Sequence, residues 1–362
     1  MIDLLDEYVI EISESQKNTI LRAALQAPTG DNAQCWDVSF EETILKIEHD
    51  KQRANHILND NCLASLLSLG TVVESINIAA LELGFSTIVQ YSLDDKNLAL
   101  WATIIFKNTN NASEEDLNEA LYKRETNRNN YKRKRIPSEL LDKLKSFAKD
   151  LNIKISEKYP LSRDMFWYLH LCEHYIWYNR EVFMDTTYWI RFSQKQRLEL
   201  RDGFGLKNIK LKSFEGLLVK LFRKSEFCAK LAWVFILRFK IWIDSFLVLR
   251  NTGSFLIFSA KASEDIDVVN TGRTMFRAWT SLNKIGYGVQ PLTVASLLPF
   301  NLAKSGKLRD CPQNFHDEFT KSRGYFKQCF SLEDNDKVIW MLRTGPAKPL
   351  SCLLYTSPSP RD

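Results

Sequence analysis

The sequence contains no HExxH, GxSxG, Walker loop or GxGxxG, so zinc peptidase, serine hydrolase, P-loop and Rossmann dinucleotide chemistry have no local support. Its seven cysteines, at positions 35, 62, 172, 228, 311, 329 and 352, form no CxxC pair. That spacing argues against both a structural zinc site and a disulfide framework, and fits reduced thiols in a cytoplasmic protein. No sign of charge dominates: 49 Lys and Arg stand against 44 Asp and Glu, a net +5, too little for a field that would gather nucleic acid. The opening residues, MIDLLDEYVIEISES, lack a basic head before an apolar core and do not read as a secretory signal. The nearest approach to a membrane span, residues 231–249, carries Arg238, Lys240 and Asp244 in its middle, where each charge is costly in a bilayer. It reads as a buried or surface-lying helix rather than a span.

What is present suffices for a globular core. At 362 residues and 45% hydrophobic content, the chain forms one large domain or two ordinary ones. Residues 15–26 pattern as a helix ending at Pro28, and WDVSF with TILKIEHD as two strands around a Glu-Glu turn. Asp60 or Asn61 is placed to cap a long apolar helix that closes at Gly84, before the strands FSTIVQYSL and LALWATIIF. After RETNRNNYKRKR come an amphipathic helix opened by Pro137, the strand NIKISEKY, and an aromatic helical region from Phe166 to Phe192. An irregular basic stretch, residues 193–240, then precedes the strand SFLIFSA, the helix GRTMFRAWTSLNKI, the loop GYGVQPLT and the strand KVIWMLRTG. The segments at residues 70–84 and 272–286 are both Gly-bounded helices followed by an aromatic residue, which reads as a duplicated unit. Residues 352–362, CLLYTSPSPRD, back-translate to a sequencing-library adapter. They are set aside, with the expectation that the natural C-terminus beyond about Ser351 is missing.

Three segments carry candidate chemistry. RETNR sets Arg124 and Arg128 around Thr126, able to converge on a phosphate, or to form a solvated basic turn. APTGDNAQCW offers Thr29, Asn32 and Gln34 beside Gly30, a loop suited to a heterocycle or sugar alcohol, or a plain turn before a strand. His170 and His174 lie one helical turn apart with no third ligand nearby, so ordinary helix histidines are favoured over a metal site.

APTGDNAQCW resembles the A-P-S/T-x-x-N-x-Q-P-W segment of the nitroreductase superfamily, whose members use flavin mononucleotide (FMN). RETNRNNY followed by IPSELLDKL resembles that family's R-x-S/T-x-R segment and its helix. In ordinary members the Arg segment precedes the Asn/Gln loop within one unit; here the first half has the loop and the second half the Arg segment. This order is similar to the single-chain, internally duplicated branch that includes the mycobacterial Acg family. The resemblance implies an α+β, nitroreductase-like fold, a monomeric pseudo-dimer with a central antiparallel or mixed sheet flanked by helices. Residues 1–120 would be one half and residues 121–351 the other, with a lid-like insertion at about 193–240.

One FMN would sit between the halves. Arg124, Thr126 and Arg128 would hold its phosphate, Pro28, Thr29, Asn32 and Gln34 its ribityl chain and ring edge, and Gly288 and Gln290 would approach the ring. Arg343 would add charge near the phosphate, and Cys35, standing where the family has Pro, would put a thiol close by. The implied activity is two-electron, ping-pong transfer from NAD(P)H through the flavin to a small acceptor. The alternatives are a flavin-sequestering protein closed by its lid, and a membrane-surface protein using the basic, aromatic stretch at residues 207–249.

Overall fold

The computed structural model describes residues 10–109, 116–305, 308, 311–333 and 335–348; the adapter-like residues 352–362 lie outside them. Ser13 opens α1 (Glu14–Ala24) with a capping box. The chain then runs through β1 (Trp36–Glu41), β2 (Ile44–His49), α2 (Leu63–Glu82), β3 (Phe85–Tyr91) and β4 (Leu100–Asn108). These strands form an antiparallel sheet of order β1-β2-β4-β3. Next come α3 (Asn118–Lys123), α4 (Ser138–Asp150), β5 (Lys154–Lys158), α5 (Arg163–Tyr178), α6 (Arg180–Tyr188), β6 (Ile190–Arg191), α7 (Gln194–Leu200) and β7 (Phe204–Gly205). The helices α8 (Ser213–Lys224), α9 (Glu226–Ala232) and α10 (Arg238–Arg250) follow, a π-helical turn (Trp233–Leu237) joining the last two. The chain closes with β8 (Ser254–Ala260), α11 (Asp265–Lys284), β9 (Tyr287–Pro291), α12 (Thr293–Ser305), α13 (Gln313–Cys329) and β10 (Lys337–Pro346). Its second four-stranded antiparallel sheet has the order β5-β8-β10-β9.

The expected single central sheet is therefore two sheets, and among the described residues the only parallel pairing is the two-residue β6–β7 contact. Between the sheets α2 packs along α11. The α2 helix is long and apolar enough to cross a membrane, with a mean hydropathy of 1.5, yet 89% of that apolar window is buried inside the fold. A helix apolar all round belongs in a core. Gly70 and Gly272, read from the sequence as helix boundaries, sit inside α2 and α11 at the point where the helices cross. A methyl group on Gly70 would overlap the Val269 carbonyl, and one on Gly272 would overlap the Leu67 carbonyl. The paired glycines let two backbones approach where a side chain would separate them. Glu74, fully buried one turn further along α2, receives Arg273 Nε at 3.1 Å and Arg277 Nε at 2.7 Å from α11.

Other local expectations shift for identifiable reasons. GYGVQPLT, expected as a loop, supplies β9 because β10 offers it a partner: Gly288 pairs with Gly345 and Gln290 with Arg343. The stretch at residues 193–240, expected as irregular, is largely helical: α7, α8 and α9 fall within it, and Ser193 and Ser225 cap α7 and α9 by accepting from Gln196 N and Cys228 N, each at 3.2 Å. The cap of α2 comes from Asn59, whose Oδ1 accepts from Ser65 N at 3.1 Å, rather than from Asn61, which has φ 55° inside a short 3₁₀ turn. Gly84 does take the left-handed position after α2, with φ 80°, and Gly286 matches it after α11 with φ 77°.

The crossing predicts a graded mutational response. Gly70→Ala and Gly272→Ala should each destabilise the fold by about 1–3 kcal/mol or more through overpacking. Gly324→Ala, where a methyl group meets nothing within 4 Å, should be neutral or stabilise by about 0.5–1 kcal/mol. Thermal unfolding of the three variants checks this, and equal shifts would contradict it.

Candidate functional site

A cavity of about 830 Å³ opens beside the α2–α11 crossing. Its walls come from the α1–β1 loop, from α2 and α11, from the segment after α3, from the residues following α6, and from β9. Pro28, Thr29, Asn32, Gln34, Arg124, Thr126, Arg128 and Gln290 all line it. Two segments about a hundred residues apart in sequence thus face one space.

The α1–β1 loop is shaped by unusual backbone. Asp31, Asn32 and Gln34 have φ of 50°, 56° and 51°, in the left-handed region that Asn and Asp tolerate better than Gln. The Thr29 hydroxyl accepts from Gln34 N at 3.0 Å and so closes the turn. The Thr71 hydroxyl of α2 shares its proton between the Ser68 carbonyl at 2.7 Å and the Pro28 carbonyl at 3.1 Å, which ties the loop to the core. The amides of Asn32 and Gln34 donate outward, to the carbonyls of Gly203 at 3.5 Å and Arg201 at 2.9 Å. They therefore hold down the segment that covers the cavity, in which Arg201, Asp202, Gly203, Phe204 and Asn208 all line the wall.

Arg124 is buried. Its Nε and Nη2 donate to the Gln26 carbonyl at 3.3 and 3.2 Å, and its guanidinium lies 4.6 Å from the Trp279 ring centroid. The third nitrogen, Nη1, is buried without a hydrogen-bond partner. Burial lowers the Arg124 pKa to about 10, opposed by Glu125, so it remains a cation at neutral pH. Arg128 donates from Nη1 to the Asn208 carbonyl at 3.0 Å and lies 5.3 Å from the Phe204 ring. The two arginines share the cavity but are braced on different segments, Arg124 by the core and Arg128 by the cover.

Two expected residues lie elsewhere. Gly288 is not on the cavity wall; a methyl group there would meet Tyr131 and Ala347. Arg343 is fully buried behind the wall, where its Nε donates to Gln290 Oε1 at 2.8 Å and its Nη2 to the Asn129 carbonyl at 3.0 Å. It positions Gln290, which does face the cavity. Cys35 is also buried off the wall, and burial pushes its thiol up to about 12, leaving it protonated rather than reactive.

One group of residues escaped the sequence reading. His56 Nε2 lies 3.3 Å from Asp31 Oδ2, and its Nδ1 lies 3.3 Å from Asp185 Oδ2. Asp31 lines the cavity, Asp185 lines a shallow depression on the outside, and His56 borders both. Burial raises the Asp31 pKa, His56 and Arg128 acting against it. For His56, burial favours the neutral ring, but the Asp185 hydrogen bond and the two carboxylates outweigh it and raise the pKa. His56 Nδ1 also accepts from Leu58 N at 3.2 Å, so what the row can do is hold a proton beside the cavity wall. No motif spacing links positions 31, 56 and 185; only the fold joins them.

The solved structures similar to the chain include two nitroreductase-like proteins. A nitroreductase-like family protein from Bacillus cereus aligns at 11% identity and a TM-score of 0.31, covering 65% of this chain and 88% of that one. A candidate nitroreductase from Anabaena variabilis aligns at 9% identity and a TM-score of 0.44, covering 93% and 74%. No protein-family model and no curated protein matches the sequence.

Because its folded pKa is raised above the unfolded value of about 6.5, the His56 pairing should stabilise the fold fully below that pH. The contribution is lost as pH rises through the folded value. His56→Gln should accordingly lower the melting temperature most on the acidic side of neutrality and least in mild alkali. A pH-independent difference between variant and wild type would contradict the arrangement.

Proposed function

We propose that the chain binds FMN in this cavity and acts as an oxidoreductase of nitroreductase type, passing two electrons from NAD(P)H to a small acceptor. The observation that carries the reading is Arg124, a buried guanidinium on the cavity wall whose Nη1 has no hydrogen-bond partner. Leaving a charged donor buried and unmatched costs on the order of 1–3 kcal/mol or more, and a phosphate oxygen is the acceptor that suits a guanidinium best. Asn208 Oδ1, also buried and unmatched on the wall, adds an acceptor for a hydroxyl. The volume lies within the range of about 300–1,000 Å³ usual for small-molecule sites.

On this reading Arg124, Thr126 and Arg128 hold the phosphate, while Pro28, Thr29, Asn32, Gln34 and Gln290 flank the remainder of the cofactor. FMN, when bound, supplies the hydride chemistry. The chain's own residues do the rest. Trp279 and the Gln26 carbonyl fix the Arg124 guanidinium, and Arg343 occupies the Gln290 carbonyl oxygen, leaving the amide nitrogen to donate. Residues 201–208 shield the space from water, and Asp31, backed by His56, can hold a proton at the wall.

We further infer that the chain is a duplicated unit folded as a monomeric pseudo-dimer with one site. Both sheets place their strands in the order first, second, fourth, third, and in each half the long helix lies between the second and third strands. The crossing glycines and the left-handed glycines occupy equivalent places in α2 and α11. Each half supplies one of the two polar segments to the shared cavity.

A second reading, a protein that holds flavin without turnover, is favoured by the cover. Asn32, Gln34 and Arg128 all donate to backbone carbonyls of residues 201–208, and those bonds must break for an acceptor to enter past this segment. Anaerobic addition of NADPH or NADH to the FMN-loaded protein separates the two readings. Bleaching of the flavin absorbance supports the oxidoreductase, and a persistently oxidised flavin supports sequestration.

Flavin titration should give one FMN per chain, and two would contradict the single shared site. Arg124→Ala should weaken FMN binding by about 1.5–3 kcal/mol, roughly tenfold to a hundredfold, with the fold retained by circular dichroism. Unchanged affinity would remove the phosphate assignment.

A further inference from the structure

Residues 207–250 hold ten Lys and Arg against three Asp and Glu, a surplus greater than the net +5 of the whole chain. All three acids are ion-paired within the stretch: Glu215 with Lys240 at 3.3 Å, Glu226 with Lys230 at 2.6 Å, and Asp244 with Lys240 at 2.5 Å. The surface they leave is cationic.

That surface is also apolar. α8 buries Gly216, Val219 and Phe222 yet exposes Phe214, Leu217, Leu218 and Leu221 on its other side. Along α9, the π turn and α10, the exposed residues Phe227, Leu231, Val234, Phe235 and Phe239 recur at helical spacing. Phe227 is 74% exposed, Val234 67%, Phe235 73% and Phe239 67%. This is not a loosely packed helix turned outward by chance. Its inner side is occupied, with Trp233 5.0 Å from His174 and Phe246 5.7 Å from Phe166, centroid to centroid. Arg180 fastens α8 to the body by donating to the Phe222 and Arg223 carbonyls, each at 2.7 Å. The face is held in place and presents large apolar side chains to the outside, flanked by the exposed cations Lys220, Lys224, Lys230 and Arg238.

A soluble protein rarely leaves so many clustered apolar side chains in water without a partner. A second copy of the same face would bring two cationic surfaces together. An anionic bilayer matches both properties at once, since the apolar residues enter the acyl boundary while Lys and Arg stay among the headgroups. We propose that α8 to α10 seat the protein on a membrane surface carrying anionic lipid, with Phe227, Val234, Phe235 and Phe239 inserted and Lys220, Lys224, Lys230 and Arg238 at the headgroups. The helices lie in the plane of the interface and do not span it. The inference rests on the surface alone and stands apart from the cavity's cofactor.

Co-sedimentation of the full chain with vesicles tests it. Binding is expected to phosphatidylcholine mixed with phosphatidylserine, and not to phosphatidylcholine alone, and it should weaken as salt is added. The double variant Phe235→Asp/Phe239→Asp and the charge variant Lys220→Glu/Lys224→Glu should each bind about tenfold more weakly or worse. Both change exposed side chains, so their melting temperatures should match wild type. A wild-type chain that stays in the supernatant with anionic vesicles would overturn the proposal, as would a Phe235/Phe239 variant that binds normally. Light scattering that shows a dimer dispersed by the same variant, without vesicle binding, would assign the face to a second copy and likewise overturn it.

Discussion

The rest of the fold depends on the close approach of α2 and α11 at Gly70 and Gly272. With no side chain at either position, the two backbones come together, and the contact is locked by Glu74 between Arg273 and Arg277. Removing one partner of a buried charge group typically costs about 3–5 kcal/mol, so the register of the two helices is tightly specified. From this register the cavity follows. Thr71 of α2 holds the Pro28 carbonyl, and Trp279 of α11 lies against the Arg124 guanidinium while its Nε1 donates to the Glu125 carbonyl at 3.0 Å. Each polar loop is suspended from one of the crossing helices, and the crossing brings the two loops to one space.

The cavity is electrically divided. On one side stands a guanidinium braced by an aromatic ring and a helix-end carbonyl, a pairing that keeps the charge where a phosphate would be bound. On another stands the Asp31–His56–Asp185 row, open through His56 to the exterior. Between them the cover is held by side-chain amides to backbone carbonyls rather than by apolar packing alone. Such bonds exchange with water at modest net cost, about 0.5–1.5 kcal/mol each, so a cover of this kind can open without unfolding the core.

Local segments were legible in the sequence, and long-range pairings were not. Arg124, Thr126 and Arg128 were read as a unit because their spacing is local, as were Thr29, Asn32 and Gln34, and all of them line the cavity. Residues 287–291 carry little strand signal of their own, with Gly288 and Pro291 among five residues; the segment is extended because β10 pairs with it from some fifty residues away. The same pairing explains Arg343, whose guanidinium is buried behind Gln290 rather than exposed to a ligand. His56 carries no local signal, because its partners Asp31 and Asp185 come from two distant segments.

The buried Arg124 guanidinium, with Nη1 unmatched, suits a phosphate. The most direct measurement compares equilibrium binding of FMN and of riboflavin, which has the same ring and ribityl chain without the phosphate. FMN should bind more tightly by about 1.5–3 kcal/mol, roughly tenfold to a hundredfold, from a charge-assisted contact in a buried site. Equal affinity for the two flavins, or binding of neither, would contradict it.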